Sequence, residues 1–285
     1  MPEPETLRSR LAHKPIVVAP GVYDPFTSLV ATQAGFETLY VSGAAIAYTR
    51  LGRPDIGLVS MTEVTETLAL IRDRVSAHLI VDGDTGYGNA LNVVRTIREF
   101  ERAGATAIQL EDQDFPKRCG HLDGKALIPA QEMCGKIRAA VDARRSRETL
   151  IVARTDAVAV EGFDRAMERA HAFRDAGADI GFVEAPTTAE QIAAIGRLPY
   201  PQLANIVIGG KTPERSNNEL KNLGFAGVLY ANTALQAAVL GMQRALGHLK
   251  EHGQIGHADD ILATFTERQR LVDIGSFQAM ERKYK

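Results

Sequence analysis

The sequence is poor in cysteine and carries almost no net charge. Its 285 residues include two cysteines, Cys119 and Cys134, which are too few for a disulfide framework. Its 33 Lys and Arg residues nearly balance 35 Asp and Glu residues, so charge gives no reason to expect nucleic acid or an anionic membrane as a partner. No apolar run approaches the ~18 residues of a membrane span, and the polar N-terminus lacks the apolar core of a signal peptide. These absences predict a globular cytoplasmic protein.

What the sequence does have is eight short apolar runs, each followed by a helix-like segment. The runs lack polar alternation, which is typical of strands buried on both faces of a parallel sheet. Four of them are preceded by a glycine suited to ending a helix, at Gly35, Gly104, Gly177 and Gly224. Eight such units predict one (β/α)8 barrel domain over residues 1–285, with a doubly wound open sheet as the alternative. The runs span residues 16–20, 38–43, 78–84, 106–112, 150–156, 180–185, 202–207 and 227–232.

The C-terminal part of the chain is longer than a barrel needs. Helices are predicted over residues 232–251, 257–271 and 275–283, whereas an ordinary barrel requires one helix after its last strand. We therefore expect the extension at 232–285 to cover either the barrel mouth or a neighbouring subunit.

Polar side chains stand where the predicted strands end, which is where barrel enzymes place their active sites. Asp82 and Asp84 are two residues apart and would face the same way on a regular strand, and Glu111 ends the next strand. Oxygen donors without a His or Cys set suit a hard cation, so these three acids predict a Mg²⁺ or Mn²⁺ site. A hydrogen-bonded cluster with Arg154, or simple helix capping by single acids, is the alternative. The residues expected to meet at the mouth are Ser42, Gly43, Asp82, Asp84, Glu111, Asp112, Arg154, Asp156, Glu184, Asn205 and Tyr230.

A segment rich in charge and glycine, EDQDFPKRCGHLDGK, follows the fourth run at residues 111–125. A loop of about a dozen residues without secondary structure is usually functional or disordered, and this one is placed to act as a lid over the mouth. Cys119 lies between Arg118 and His121, and this cationic setting is expected to lower the pKa of its thiol. The thiol would then act as a general acid or a nucleophile; a surface cysteine without a role is the alternative. Cys134 is predicted to be a packing residue.

Seven motifs, in order along nearly the whole chain, resemble those of the isocitrate lyase/phosphoenolpyruvate mutase superfamily. The chain looks most similar to its 2,3-dimethylmalate lyase, 2-methylisocitrate lyase and petal death protein branches. The resemblance implies a barrel whose last helix is exchanged between subunits, in dimers and dimers of dimers. The motifs are YVSG (40–43), GRPDIG (52–57), DGDTGYGN (82–89), EDQ (111–113), KRCGH (117–121), ARTDA (153–157) and NIVIGGKTP (205–213).

The resemblance also implies roles for individual residues. It implies Mg²⁺ held by Asp82, Asp84 and Glu111, partly through water. The other residues that it places in substrate binding are Ser42, Gly43, Ala44, Asp55, Arg154, Glu184, Asn205, Gly120 and His121. The catalytic set that it implies is Cys119, Arg154, Glu111, Lys117, His121 and Tyr40.

The KRCGH segment is similar to the signature of the superfamily's lyases. It predicts C–C cleavage of a 2-hydroxy di- or tricarboxylate to pyruvate or another 2-oxo acid plus a carboxylate, with Cys119 protonating the departing carbon. The base is left open between Tyr40, a metal-bound water and a nearby carboxylate. Carboxyphosphonoenolpyruvate mutases also keep KRCGH, so a phosphonomutase is an alternative. Oxaloacetate decarboxylation or hydrolysis and a non-enzymatic 2-oxo-acid sensor are the others.

Three departures from the methylisocitrate lyase pattern bear on the substrate. Gln109 stands where those enzymes commonly have histidine, Ala44 where many members have a second glycine, and residues 230–233 differ near the distal substrate carboxylate. Residues 209–213 look more like the dimethylmalate lyase and petal death protein branch. A 2-alkylmalate such as 2,3-dimethylmalate is therefore favoured, with methylisocitrate close behind.

Overall fold

Eight parallel strands form a closed barrel in the order of the chain. The computed structural model describes residues 5–12, 15–120, 122, 124–255 and 261–285. Each strand pairs with the next, and β8 pairs with β1, so the predicted barrel is confirmed and the open-sheet alternative is wrong. The strands are β1 (Val17–Val22), β2 (Thr38–Val41), β3 (His78–Asp82), β4 (Ala107–Glu111), β5 (Leu150–Thr155), β6 (Ile180–Val183), β7 (Gln202–Asn205) and β8 (Gly227–Tyr230).

Helices surround the barrel, and four of them end at the glycines that the sequence predicts. The four glycines that precede strands all have φ between 93° and 107°, the left-handed backbone that stops a helix. A π-helical turn (Ala47–Leu51) and a 3-10 turn (Ala157–Ala159) lie after β2 and β5. The helices are α1 (Leu7–Ala12), α2 (Pro25–Gln33), α3 (Gly43–Ile46), α4 (Met61–Arg74), α5 (Ala90–Arg102), α6 (Ala130–Ala143), α7 (Phe163–Asp175), α8 (Ala189–Gly196), α9 (Asn217–Leu223), α10 (Thr233–His252), α11 (Phe265–Leu271) and α12 (Ile274–Tyr284).

The barrel interior is filled with apolar side chains, and its N-terminal end is plugged by α1. Leu7 and Leu11 of α1 pack in the same buried cluster as Val17, Leu150 and Ile180, which lie at or near strand starts. Two further clusters fill the space between the strands and the outer helices. The opposite, C-terminal end of the barrel is therefore the one left for a site.

The loops that carry the strand-end residues are fixed by helix caps. Asn89 is the N-cap of α5 and accepts hydrogen bonds from Leu91 N at 2.9 Å and Asn92 N at 3.3 Å. Ser60 and Glu63 form a reciprocal capping box at the start of α4. Such caps are typically worth about 1 kcal/mol each, and these two anchor the segments on either side of β3.

The C-terminal helices differ from the rest because none of their residues is buried. The helix predicted at 232–251 is α10, which begins one residue later because Asn232 is its N-cap position, and the one predicted at 275–283 is α12. The helix predicted at 257–271 begins only at Phe265, and residues 256–260 lie outside the described part of the chain. Gln33 Nε2 donates to Leu271 O at 3.0 Å, so α11 rests on α2 of its own chain.

A search of the described helices finds none that is both long enough and apolar enough to cross a bilayer.

Candidate active site

Side chains at the carboxyl ends of the strands surround one small cavity. Its volume is about 30 Å³, which is room for about two water molecules. A substrate with two carboxylates is much larger. The covering loop, which joins β4 to α6, therefore has to move for the substrate to enter. The lining residues are Tyr40, Ser42, Ala44, Asp55, Asp82, Glu111, Lys117, Arg118, Cys119, Gly120, Arg154, Glu184, Asn205, Val207, Ala231 and Asn232.

The three predicted metal ligands lie together, although not in the way that the strand pattern suggested. β3 ends at Asp82, and Asp84 has a left-handed φ of 46°, so the expectation of one regular strand through both residues is wrong. The turn brings them together instead, because Asp84 N donates to Asp82 Oδ1 at 3.2 Å. Burial raises the pKa of Asp84 to about 7 and that of Glu111 well above its usual range. Neighbouring acids add to the effect of burial, since Asp82 and Asp55 raise the pKa of Asp84 further.

Lys117 joins the covering loop to this cluster. Its Nζ lies 2.8 Å from Asp84 Oδ1 and 2.5 Å from Asp55 Oδ1, and all three side chains are buried. Burial alone would lower the pKa of Lys117, but Asp84 and Asp55 outweigh it and raise the pKa well above its usual value. Lys117 therefore stays a cation and holds the loop against the mouth.

Arg154, within β5, is fixed among carboxylates. Its Nε and Nη2 donate to the two oxygens of Asp156 at 2.9 and 3.0 Å, and its Nε lies 3.4 Å from Glu111 Oε2. Arg154 Nη1 is 3.7 Å from Glu184 Oε2, which also accepts from Asn205 Nδ2 at 3.4 Å. Burial opposes the guanidinium charge, but the surrounding carboxylates, Asp156 first among them, raise the pKa of Arg154 well above its usual value. Arg154 is thus a rigidly held cation on the cavity wall.

Asp112 does not line the cavity, which corrects the prediction that the strand-end acids all meet there. Successive residues of a strand point to opposite sides, so Glu111 faces the cavity and Asp112 faces away from it. The Asp112 carboxylate accepts from Thr155 Oγ1 at 2.7 Å, Asp156 N at 2.9 Å and Arg169 Nη1 at 3.2 Å. Burial raises its pKa to about 6. Asp112 therefore supports the residues behind Arg154.

The acids fit a hard cation bound partly through water. Within the described residues no three His, Cys, Asp or Glu side chains are arranged to bind an ion directly. The donors are nevertheless all oxygens, and Glu111 Oε1 is buried with no hydrogen-bond partner in the part of the chain that the structure describes. A divalent cation with water ligands would satisfy that oxygen and would stabilise the buried carboxylates as anions.

The loop after β4 folds back over the cavity from a narrow stem. Gln113 and Leu127 form an isolated antiparallel bridge, and Asp114 N donates to Ala126 O at 2.8 Å. The Gln113 side chain also makes two hydrogen bonds with the backbone of Arg118. Its Nε2 donates to Arg118 O at 2.8 Å, and its Oε1 accepts from Arg118 N at 2.9 Å. The loop thus has an ordered stem and a tip that reaches the mouth.

The tip of the loop carries the predicted thiol into the cavity wall. Cys119 N donates to Asp55 O at 3.2 Å. The next residue, Gly120, packs so closely on the barrel that a Cβ there would lie 2.4 Å from Arg154 Nη2 and 2.7 Å from Glu184 Cγ. His121, also predicted to act here, lies outside the described residues.

The turn at 42–44, which the resemblance places in substrate binding, offers backbone amides of which one is already engaged. Ser42 N donates to Val22 O at 3.0 Å, so this amide is already engaged by the backbone of β1. The Ser42 hydroxyl accepts from Ala45 N at 3.2 Å as the cap of α3. The Gly43 and Ala44 amides, at the open start of this helix, remain for an anion.

Tyr40 and Asp82 are linked by a residue to which sequence reasoning gave no function. Gln109, fully buried in β4, accepts from the Tyr40 hydroxyl at 3.3 Å and donates from Nε2 to Asp82 Oδ1 at 3.1 Å. Burial, and then Asp82, raise the pKa of Tyr40 well above its usual value. Its hydroxyl is therefore a hydrogen-bond donor at neutral pH.

Lys125 is a second polar residue that sequence reasoning missed. Its Nζ donates to Gly120 O and lies 3.2 Å from Asp156 Oδ1. The signal in the sequence is a lysine placed where the loop re-enters the apolar stretch at 126–128.

Comparison with known proteins shows the family. The phosphoenolpyruvate phosphomutase family profile matches residues 7–250. The 2,3-dimethylmalate lyase of Eubacterium barkeri is 40% identical over 279 residues, covering 98% of this chain and 96% of that protein. The 2-methylisocitrate lyase of Aeropyrum pernix is 45% identical over 273 residues, covering 95% of this chain and 88% of that protein.

Solved structures of the same superfamily are similar over almost the whole chain. A crystal structure of 2,3-dimethylmalate lyase matches with a TM-score of 0.92 at 35% identity, covering 98% of this chain and 94% of that chain. Oxaloacetate acetylhydrolase bound to 3,3-difluorooxalacetate matches with a TM-score of 0.92 at 34% identity, covering 98% and 96%. Phosphonopyruvate hydrolase bound to oxalate and Mg²⁺ matches with a TM-score of 0.88 at 31% identity, covering 98% and 97%.

These relatives confirm the prediction of an enzyme of the lyase type, and the last of them supports the expected use of Mg²⁺ in the family. The chain belongs to the phosphoenolpyruvate mutase/isocitrate lyase superfamily.

Proposed function

We propose that the protein cleaves the C2–C3 bond of a 2-hydroxy di- or tricarboxylate, releasing pyruvate or another 2-oxo acid and a second carboxylate. The observation that carries this proposal is that Cys119 lines the same cavity as Arg154, Asp82 and Glu111. Retro-aldol cleavage needs a cation at the oxygen-bearing carbon and an acid at the departing carbon. A guanidinium and a thiol on one small cavity supply both.

Binding would use groups that are already fixed. Arg154 binds the α-carboxylate and the 2-oxygen, and the Gly43 and Ala44 amides bind the same carboxylate. Asp82, Asp84 and Glu111 would hold Mg²⁺ or Mn²⁺, partly through water, and such an ion supplies Lewis-acid stabilisation of negative charge on oxygen. Lys117 keeps Asp84 and Asp55 in place. Glu184 lies beside Nη1 of Arg154, and Asn205 donates a hydrogen bond to Glu184.

Cleavage then requires two proton transfers. The 2-hydroxyl proton passes to a base at the mouth, and the oxygen pair forms the new C=O bond as C2–C3 breaks. Tyr40, with its raised pKa, donates a hydrogen bond rather than taking this proton. The electron pair left at C3 spreads into the neighbouring carboxylate as an aci-carboxylate. The Cys119 thiol protonates C3, and its thiolate regains a proton from water when the loop opens. Such general acid catalysis is worth about 10²–10⁴ in rate.

The far side of the cavity favours a 2-alkylmalate such as 2,3-dimethylmalate over methylisocitrate. That side is formed by Val207, Ala231 and Asn232, which follow β7 and β8 across the barrel from the covering loop. The lining cations are Lys117, Arg118 and Arg154, and these lie on the side of the loop and the acids. A small alkyl group fits the uncharged side, whereas a third carboxylate would meet no cation among the described lining residues.

A substrate panel with Mg²⁺ tests the proposal. We expect pyruvate release from 2,3-dimethylmalate and related 2-alkylmalates, loss of activity in a chelator, and recovery when Mg²⁺ is restored. Cys119→Ser should lower turnover about 10²–10⁴-fold, while oxalate binding, measured by calorimetry with Mg²⁺, is retained. Cys134→Ser is the matched control, because Cys134 packs on α7 with its Sγ 3.6 Å from Ala172 O.

Three outcomes would contradict the assignment. Unchanged turnover in Cys119→Ser would reject the acid role. A new C–P bond formed from a carboxyphosphonoenolpyruvate, seen by phosphorus NMR, would identify a phosphonomutase. Cleavage of oxaloacetate without any 2-alkylmalate activity would identify a decarboxylase or hydrolase.

We also propose that the C-terminal extension at 232–285 mediates assembly into dimers of dimers in the cytoplasm. Along α10 the exposed residues Val239, Met242, Leu246 and Leu249 recur at helical spacing and form one apolar stripe. An exposed stripe of this kind is typical of an interface with a second protein surface. A second copy of the chain would cover it if the last helices are exchanged.

A further inference from the structure

Lys125 lies at the base of the covering loop, and its side chain is buried. The side chain is 2% exposed and that of its partner Asp156 is 0% exposed. Its Nζ is 3.2 Å from Asp156 Oδ1 and also donates to Gly120 O. Lysine is almost never fully buried unless it is paired, and here both partners belong to the site.

The two partners of Lys125 both lie beside Arg154, one on the loop and one on the barrel. Gly120 follows Cys119 at the tip of the loop, and its Cα is packed directly on Arg154. Asp156 lies behind the site and holds Arg154 by two hydrogen bonds, at 2.9 and 3.0 Å. The Lys125 ammonium group therefore connects two parts of the site. One is the Gly120 backbone, next to the proposed acid Cys119. The other is Asp156, which orients Arg154.

The Asp156 carboxylate links the position of the loop to the charge on Arg154. Burial works against ionisation of Asp156, but Arg154 and then Lys125 outweigh it and lower its pKa. With the loop closed, Asp156 Oδ1 is shared between Arg154 Nη2 and Lys125 Nζ. Each cation then neutralises part of the carboxylate, so more of the Arg154 charge is left for an anion in the cavity. When the loop lifts and takes Gly120 with it, this sharing weakens.

We propose that Lys125 is the positioning residue that couples closure of the loop to the charge and orientation of Arg154. It acts through Asp156 and Gly120 and does not touch the substrate. Its kinetic consequences rest on the lyase function proposed above. The coupling itself concerns only the closed position of the loop and has a readout of its own.

The test compares Lys125→Met, Lys125→Arg and the control Lys221→Met, which changes a lysine on the surface of α9. Cys119 alkylation by iodoacetamide is followed by peptide mass spectrometry with Mg²⁺ and oxalate present, and Cys134 is the internal reference. We expect Lys125→Met to accelerate Cys119 alkylation and to lower kcat by roughly 10- to 100-fold, as for loss of a charged hydrogen bond, with a smaller change in KM. Lys125→Arg should restore part of both effects, and Lys221→Met should match the wild type.

A double variant separates the two partners. If Lys125 acts through Asp156, adding Lys125→Met to Asp156→Asn should lower kcat by less than it does in the wild type. Unchanged Cys119 alkylation in Lys125→Met would overturn the proposal, even with a lowered melting temperature, because a purely structural lysine would behave so. If the wild type cleaves none of the panel, the lyase function fails, while the alkylation rates still decide the coupling.

Discussion

Gly120→Ala tests whether the closed position of the loop is the reacting one. The added methyl group would lie 2.4 Å from Arg154 Nη2 and 2.7 Å from Glu184 Cγ, whereas ordinary contact begins near 3.4 Å. The tip of the loop must therefore withdraw by about 1 Å, and Cys119 moves with it. A misplacement of about 1 Å can cost about 10²-fold in rate. We expect kcat/KM for the best substrate of the panel to fall by about that factor.

Stability separates this effect from misfolding. Gly120 does not have a positive φ, so alanine brings no backbone strain there, and the melting temperature should stay unchanged. The matched control is Gly135→Ala within α6, where a Cβ would meet nothing within 4 Å. This control should keep full activity and gain stability, since alanine is favoured over glycine in helices by about 1 kcal/mol. Pyruvate release followed by a coupled dehydrogenase assay gives the rates. Wild-type kcat/KM in Gly120→Ala would refute the idea that this packing belongs to the reacting state.

Two further predictions concern the scaffold. Arg169→Met removes the cation that lies 3.2 Å from buried Asp112 and should lower the free energy of unfolding by about 3 kcal/mol in denaturant titrations; a loss below about 0.5 kcal/mol, the usual range of a surface change, would contradict the support role. Leu246→Glu places a charge in the apolar stripe of α10, where Leu246 is 64% exposed, and should reduce the assembly size seen by light scattering. Arg244→Glu, on the opposite face of α10, should leave it unchanged; equal masses for both variants would argue against this interface.

Much of the fold could be predicted from the apolar pattern, because a strand buried on both faces needs an unbroken apolar run. Strand ends could not be predicted so well. The run at 38–43 suggests a strand through Gly43, but β2 ends at Val41 because Ser42 leaves the sheet to cap α3. The run at 78–84 suggests a strand through Asp84, but β3 ends at Asp82 because the chain turns there. The pattern of apolar residues along the sequence does not predict these local hydrogen bonds.

The site was predicted less completely than the barrel. Lys117 pairs with Asp84 and with Asp55, and Asp55 lies 62 positions earlier in the chain. The contact of Lys125 with Asp156 depends on how the loop folds back. Spacing along the sequence does not indicate such contacts. The opposite fates of Glu111 and Asp112 could have been predicted, since neighbouring residues of one strand face opposite ways.

The bridge between Gln113 and Leu127 sets the two ends of the covering loop side by side. Because the two ends lie together, a change in the length of the loop need not alter the distance between β4 and α6. The residues between these two positions can therefore be replaced without a change in the barrel. Transplanting the segment from a relative that catalyses a different reaction would be a direct route to a new enzyme on the same frame.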